Sequence, residues 1–186
     1  MLRHSIAAIA LVASGLMLTS VYAGGGTVKS GPQVGQDVPG PFHPLNVTGK
    51  DAGKKACLYC ANGGNPVAVV FAREASPEIA KLLKQLDEAT VKNEKAEMGS
   101  YAVFCSDKDG LDKSLSTMAT QHKLTKLVLA IDNPAGPEKY KIAKDADVTV
   151  ILYTGFEVKA NHTFRRGELS DAAITKVVAD VSKIVK

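Results

Sequence analysis

Apolar residues along this chain fall into two kinds of pattern. One is the short unbroken run: Val67-Ala68-Val69-Val70-Phe71, Tyr101-Ala102-Val103-Phe104-Cys105, Leu127-Val128-Leu129-Ala130-Ile131 and Val148-Thr149-Val150-Ile151-Leu152-Tyr153. Such runs belong to strands covered on both faces of a sheet. The other pattern is helical. Ile79, Leu82, Leu83 and Leu86 recur at i, i+3, i+4 and i+7. Ser76 precedes them as an N-cap, Pro77 takes the first helical position, and Glu78 suits the positive end of the helix. Leu111, Leu115, Met118 and Ala119 mark a second amphipathic helix that runs to about His122. Behind Ser170, Ile174, Val177, Val178, Val181 and Val185 mark a third. Thr154-Gly155 turns the fourth strand into a fifth, Val158 to Phe164.

The predicted order is strand, helix, strand, helix, strand, strand, strand, helix. Its βαβαβ part demands parallel strands joined by crossover helices, and the later strands read as an antiparallel hairpin closed by the last helix. The expectation is an α/β domain with a mixed central sheet and helices on both faces.

The first residues follow neither pattern. Arg3 is followed by an uncharged, mostly apolar run from Ile6 to Leu18, and Val21-Tyr22-Ala23 places small residues where a signal peptidase reads. Residues 1–23 are read as a secretory signal peptide. The run is shorter than the ~20 residues a membrane span needs, and no cysteine near the cut argues for a lipid anchor. Residues 24–41, rich in Gly, Pro and polar side chains, are read as a flexible leader, and 42–186 as one domain. The protein is expected to be secreted or periplasmic.

Composition narrows the partners. The net charge is +4, with lysines spread along the chain, and there is no Trp. Nothing suggests nucleic-acid binding, and no later stretch suggests a membrane partner once the signal is removed. Three cysteines are too few for a disulfide framework; a close pair plus one suggests a local bridge and a buried thiol. Asn46-Val47-Thr48 and Asn161-His162-Thr163 match glycosylation sequons.

Ile131-Asp132-Asn133-Pro134 with Lys139-Tyr140-Lys141-Ile142, followed by Val148 to Phe156, resembles the segment of thioredoxins that leads into their hairpin. The element order is similar to the thioredoxin-like superfamily in its longer form, that of peroxiredoxins and exported thioredoxin-like reductases. The resemblance covers roughly residues 40–186 and implies a thioredoxin-like fold. It also implies departures. Aligning Phe71 to Glu78 with the superfamily's strand-to-helix turn puts Ala75 and Glu78 where Trp-Cys-Gly-Pro-Cys has its thiols. Pro77 matches the motif's proline, and Val148 stands in place of the cis-proline. A peroxidatic cysteine is missing as well.

The chemistry that remains is Cys57-Leu58-Tyr59-Cys60, 18 and 15 residues ahead of Ala75. In an extended strand the two Cα atoms would lie about 10 Å apart, against roughly 5.5 Å for a disulfide, so the pair can work only in a helical or tight turn. No strong helix pattern follows Cys60, and positive potential is expected from Lys54 and Lys55. Cys57 is expected to be the more exposed, attacking thiol and Cys60 the resolving one. A small structural bridge, or two passive thiols, is the alternative.

Other candidates carry less. His43 or His162 could join the cysteines around copper or zinc, yet neither is placed by spacing and both are expected at the surface; no metal or cofactor is assigned. Cys105, in an apolar strand, reads as a buried inert thiol. Arg73 and Glu74 read as a solvated loop or the lining of a residual pocket, Arg165-Arg166 as an exposed strand end. His122 is expected to meet the last carbonyls of its helix. Two functional readings stand. One is an exported thiol–disulfide oxidoreductase acting through Cys57 and Cys60 on thiols or disulfides of exported proteins. The other is a redox-inactive binding or scaffold module on the same fold.

Overall fold

A computed structural model describes residues 28–185. The segment 1–23, read as a signal peptide, lies outside the described residues. Six strands and four helices follow in chain order: β1 (Leu45–Asn46), α1 (Leu58–Asn62), β2 (Val67–Ala72), α2 (Pro77–Lys92), β3 (Gly99–Cys105), α3 (Leu111–Gln121), β4 (Val128–Asp132), β5 (Val148–Thr154), β6 (Glu157–Phe164) and α4 (Asp171–Ala179). The strands form one mixed sheet in the order β1-β4-β3-β2-β5-β6. Strands β2, β3 and β4 are parallel, and β5 runs antiparallel to both β2 and β6. This is the thioredoxin-like topology that the resemblance implies. Two elements, β1 and α1, were not foreseen.

The helix starts obey their capping residues. Ser76 Oγ accepts from the Ile79 N–H at 3.3 Å, and Ser170 Oγ accepts from Ala173 N–H at the same distance. Helices α2, α3 and α4 cover one face of the sheet, packing Leu83, Leu115 and Ile174 against Ala68, Val70, Ala102, Phe104 and Leu129. Leu82, Leu83 and Leu86 are wholly buried, each contributing about 1.5–3 kcal/mol of transfer free energy. The opposite face carries Val69, Phe71, Tyr101, Val103 and Ile151. Helix α1 covers it through Leu58, and Tyr140, Phe42 and Val38 complete the cover. Phe42 meets Tyr140 edge-on at 5.0 Å.

The described part of the expected flexible leader, residues 28–41, is not a free tether. It lies along β6, with Gly35 N–H donating to Val158 O at 2.9 Å, Val158 N–H to Gln36 O at 2.9 Å and Val38 N–H to Phe156 O at 2.8 Å. Ser30 is fully buried; its hydroxyl meets Thr149 Oγ1 at 2.6 Å and accepts from Ala143 N–H at 3.0 Å. Gly and Pro in this stretch make the turns of a strap, and its polar residues find partners in β5 and β6.

Candidate active site: the Cys57–Cys60 turn

Cys57 ends an extended approach and becomes the N-cap of α1 (φ −84°, ψ 99°). Its carbonyl accepts the first helical bond from Ala61 N–H at 3.1 Å. Its sulfur takes the place of a capping oxygen, 3.0 Å from the Cys60 N–H. The helix brings the two Cα atoms to 5.2 Å, and the cysteines are bridged. The turn that the chemistry requires is therefore present, although the helix lasts only five residues. It ends at Gly63, whose N–H donates to Tyr59 O at 2.9 Å.

Two contacts seat α1. Leu58 is buried in the core beneath it. Asn62 donates from Nδ2 to Leu58 O at 2.7 Å, and its side-chain oxygen occupies the space that a Cβ on Gly99 would need. Gly99 opens β3, so the disulfide sits at the amino-terminal ends of β2 and β3. The turn where thioredoxins keep their thiols is at the other end of β2. Six residues of strand separate the two places by about 20 Å.

The expected order of exposure is reversed. Cys60 is exposed and Cys57 half-buried. Cys57, however, lines a cleft of about 300 Å³, walled by Asn46 and Thr48 of the β1 edge, Asn62 of α1, Thr90 of α2 and Ser100 of β3. Lys54 and Lys55 are exposed. The nearest donor to Cys57 Sγ is instead the Cys60 N–H, a group that stabilises negative charge on that sulfur when the bridge opens. Asn46, read from sequence only as a sequon, is a site residue that the pattern analysis missed: it is 1% exposed, and its Oδ1 is buried without a hydrogen-bond partner. Leaving such an acceptor unmatched costs about 1–3 kcal/mol. The polar residue inside Leu45-Asn46-Val47 was the available signal.

At the opposite end of β2, Arg73 occupies the turn. Its guanidinium donates to the carbonyls of Ala146 (2.9 Å), Pro134 (2.8 Å) and Ala143 (2.9 Å), and its own N–H donates to Asp147 O at 3.1 Å. Arg73 is thus a clamp on residues 134–147 and not part of a solvated loop. Glu74 is exposed and pairs with Arg166 at 2.6 Å. Cys105 is 3% exposed, and burial pushes its thiol up to about 12, against a smaller opposite pull from Arg73. It is the inert thiol expected.

His43 is exposed, but His162 is not the surface residue expected: its ring nitrogen lies 3.0 Å from Asp180 Oδ2 in a partly buried pair. Among the described residues no three His, Cys, Asp or Glu side chains come together as a metal site. His122 caps α3 through its backbone N–H to Met118 O at 3.0 Å. Neither sequon asparagine presents a free amide. Asn46 is buried, and Asn161 Nδ2 donates to Ser30 O and Pro32 O at 2.8 Å each, holding the strap. No helix among the described residues is long and apolar enough to cross a membrane.

No family model matches the sequence, and no curated protein matches it. Solved structures do match in fold. A protein of Bacteroides thetaiotaomicron inferred to be a protein disulfide isomerase superposes with a TM-score of 0.62 at 15% identity, over 85% of this chain and 94% of that one. Peroxidoxin BcpB of Mycobacterium tuberculosis gives 0.59 at 15% identity, over 86% of this chain and 100% of that one. A secreted M. tuberculosis disulfide oxidoreductase homologous to E. coli DsbE gives 0.53 at 11% identity, over 74% and 94%. The likeness is one of fold, and the fold is thioredoxin-like.

Proposed function

We propose that this chain is an exported thiol–disulfide oxidoreductase that works through Cys57 and Cys60 at the amino-terminal end of the sheet. The observation that carries the reading is the Cys57–Cys60 turn itself. It is a bridged helical turn with one exposed cysteine, and its other sulfur accepts a main-chain N–H at the mouth of a cleft. Solved proteins of the same fold are named for disulfide exchange, and the signal-like residues 1–23 support export.

In the reducing direction, the Cys57 thiolate attacks one sulfur of a substrate disulfide. A Cys57–substrate bond forms, and the other substrate sulfur leaves as a thiolate. Cys60, deprotonated, then attacks Cys57 Sγ, re-forming the bridge seen here and releasing the second substrate thiolate. Two electrons pass from the protein to the substrate, the leaving thiolates take up protons, and a dithiol or low-molecular-weight thiol reductant resets the pair. The oxidising direction is the same sequence reversed. Cys60 N–H supports both by stabilising Cys57 as attacking or leaving thiolate.

The loss of thiols at positions 75 and 78, and the filling of that turn by Arg73, favour a second reading. There the Cys57–Cys60 bridge is a structural pin in a redox-inactive binding or scaffold module. Turnover of a disulfide-bonded polypeptide by a thiol reductant separates the two. The exchange reading expects acceleration that Cys57→Ser abolishes; the module expects none from either protein.

A further inference from the structure

The hairpin between β5 and β6 turns through two residues, since Thr154 pairs with Glu157. Both central residues, Gly155 (φ 58°) and Phe156 (φ 65°), lie in the left-handed region. A turn of this kind favours Gly, Asn or Asp at those positions, and a bulky side chain there is strained. Glycine at the first position meets that demand. Phenylalanine at the second does not, so its ring is held in place at a local cost. The ring is also left open to solvent, with Phe156 41% exposed.

The fold fixes where that ring stands. Tyr153 pairs with Val67 at the start of β2, so the turn lies at the same end of the sheet as the Cys57–Cys60 bridge. Gly155 N–H donates to Gly64 O at 2.7 Å, which ties the turn to the loop behind α1. A Cβ on Gly64 would stand 3.2 Å from Phe156 Cε2, so the glycine lets the ring settle close to that loop. The Phe156 ring centroid is 5.7 Å from that of Tyr59, the residue before the exposed Cys60. The strap reaches this turn through its main chain, Val38 N–H donating to Phe156 O at 2.8 Å, and still leaves the ring open. Phe156 is thus an exposed apolar group packed on the helix that carries the bridge.

We infer that Tyr59 and Phe156 form a docking ledge for the polypeptide whose cysteine meets the bridge, with Phe156 receiving an apolar side chain a few residues from that cysteine. The identity of the occupant rests on the exchange reading. A partner that exchanges disulfides brings its own cysteine to Cys57 or Cys60, and the chain flanking that cysteine lies over the surface next to α1. Extended at about 3.3 Å per residue, it passes from the bridge to the ring within about four residues. An aromatic ring already held by its turn offers apolar contact area with little conformational freedom left to lose. Its complement is a leucine, methionine or aromatic side chain, which an unfolded polypeptide exposes and glutathione lacks. Phe156 is a specificity-determining residue.

The test uses the full chain and two peptides that differ only around a central cysteine, one with leucine and one with serine at the second and third positions on both sides. Each is supplied as its homodimeric disulfide to the reduced protein. The leucine peptide is expected to be reduced about tenfold faster than the serine peptide, and Phe156→Asn to bring the two rates within about twofold of each other. Asparagine takes the left-handed conformation readily, and Phe156→Gly repeats the comparison if Phe156→Asn does not fold. Equal measurable rates in the unaltered protein, or a ratio that Phe156→Asn leaves in place, overturn the inference. A second readout is independent of exchange: the oxidised protein is titrated with the same peptides carrying serine in place of the cysteine. The ring resonances of Tyr59 and Phe156 are expected to shift with the leucine peptide, and Phe156→Asn to weaken its binding about tenfold. If no disulfide is exchanged at all but these shifts occur, the exchange reading fails and the ledge stands. If the rings do not respond, or both peptides bind alike, the ledge is overturned. Sedimentation of the oxidised protein tests the other occupant. A dimer that Phe156→Asn dissociates would assign the ring to a second copy of this chain and overturn the inference, and a monomer supports it.

Discussion

The main-chain N–H of Cys60 points at Cys57 Sγ across 3.0 Å, so the sulfur that caps the helix is also the one best prepared to carry negative charge. Exposure alone ranks the residues the other way, with Cys60 the more open. If the donor decides, Cys60→Ser accumulates a mixed disulfide with a substrate, seen by mass spectrometry under non-reducing conditions, whereas Cys57→Ser accumulates none. A trap formed only by Cys57→Ser would assign the attack to Cys60.

Gly99 and Asn62 hold the turn in place. A Cβ on Gly99 would overlap the Asn62 side-chain oxygen, so Gly99→Ala forces α1 off its seat. The expected cost is roughly 1–3 kcal/mol, as for other overpacked sites, read as a lower urea midpoint. The double variant Asn62→Ala/Gly99→Ala is expected to recover part of that loss. Additive losses would show that the two residues do not meet.

Arg73 closes the opposite end over the 134–147 segment, with Gly136 close to the Cys105 sulfur. In the native protein at about pH 8, a thiol pushed up to about 12 by burial is expected to resist alkylation. Arg73→Ala releases three carbonyls and is expected to raise the Cys105 alkylation rate at least tenfold. An unchanged rate would mean that packing alone, without the clamp, shields Cys105.

His162 gives stability a pH dependence of known sign. Burial holds its imidazole below the ordinary 6.5, with Asp180 opposing in part. The folded state therefore binds the proton less readily than the unfolded chain. The stabilisation is fully present above the unfolded value and is lost as pH falls from there through the folded value. The urea midpoint is expected to fall between about pH 7.5 and about pH 5, and His162→Asn to flatten that part of the curve. A midpoint that rises on acidification would reverse the sign and contradict it.

The long elements were legible because their signals are local. Unbroken apolar runs and periodic helices, two of them Ser-capped, place β2 to β6 and α2 to α4 within a few residues of where they lie. What was not legible depends on partners far away in sequence. Two-residue β1 exists only because Leu45 and Asn46 pair with Ile131 and Ala130. The strap looks like a linker until Thr149, Val158 and Asn161 receive it. Helix α1 has too few residues for a periodic signature, and its cap is a cysteine, which capping preferences do not flag. The local bridge between Cys57 and Cys60 was legible, because two cysteines three residues apart can pair once a turn brings them together. The burial of Asn46 was not, because it follows from the pairing of Leu45 and Asn46 with β4, a strand far along the chain.

The most direct test of the central claim is a redox titration of the protein against glutathione buffers, read by alkylation of Cys57 and Cys60. An exchange enzyme is expected to show a midpoint above about −270 mV, in the range of exported and thioredoxin-type exchangers. A bridge that stays closed below about −300 mV is a structural one, and would contradict the claim that Cys57 and Cys60 exchange electrons with a substrate.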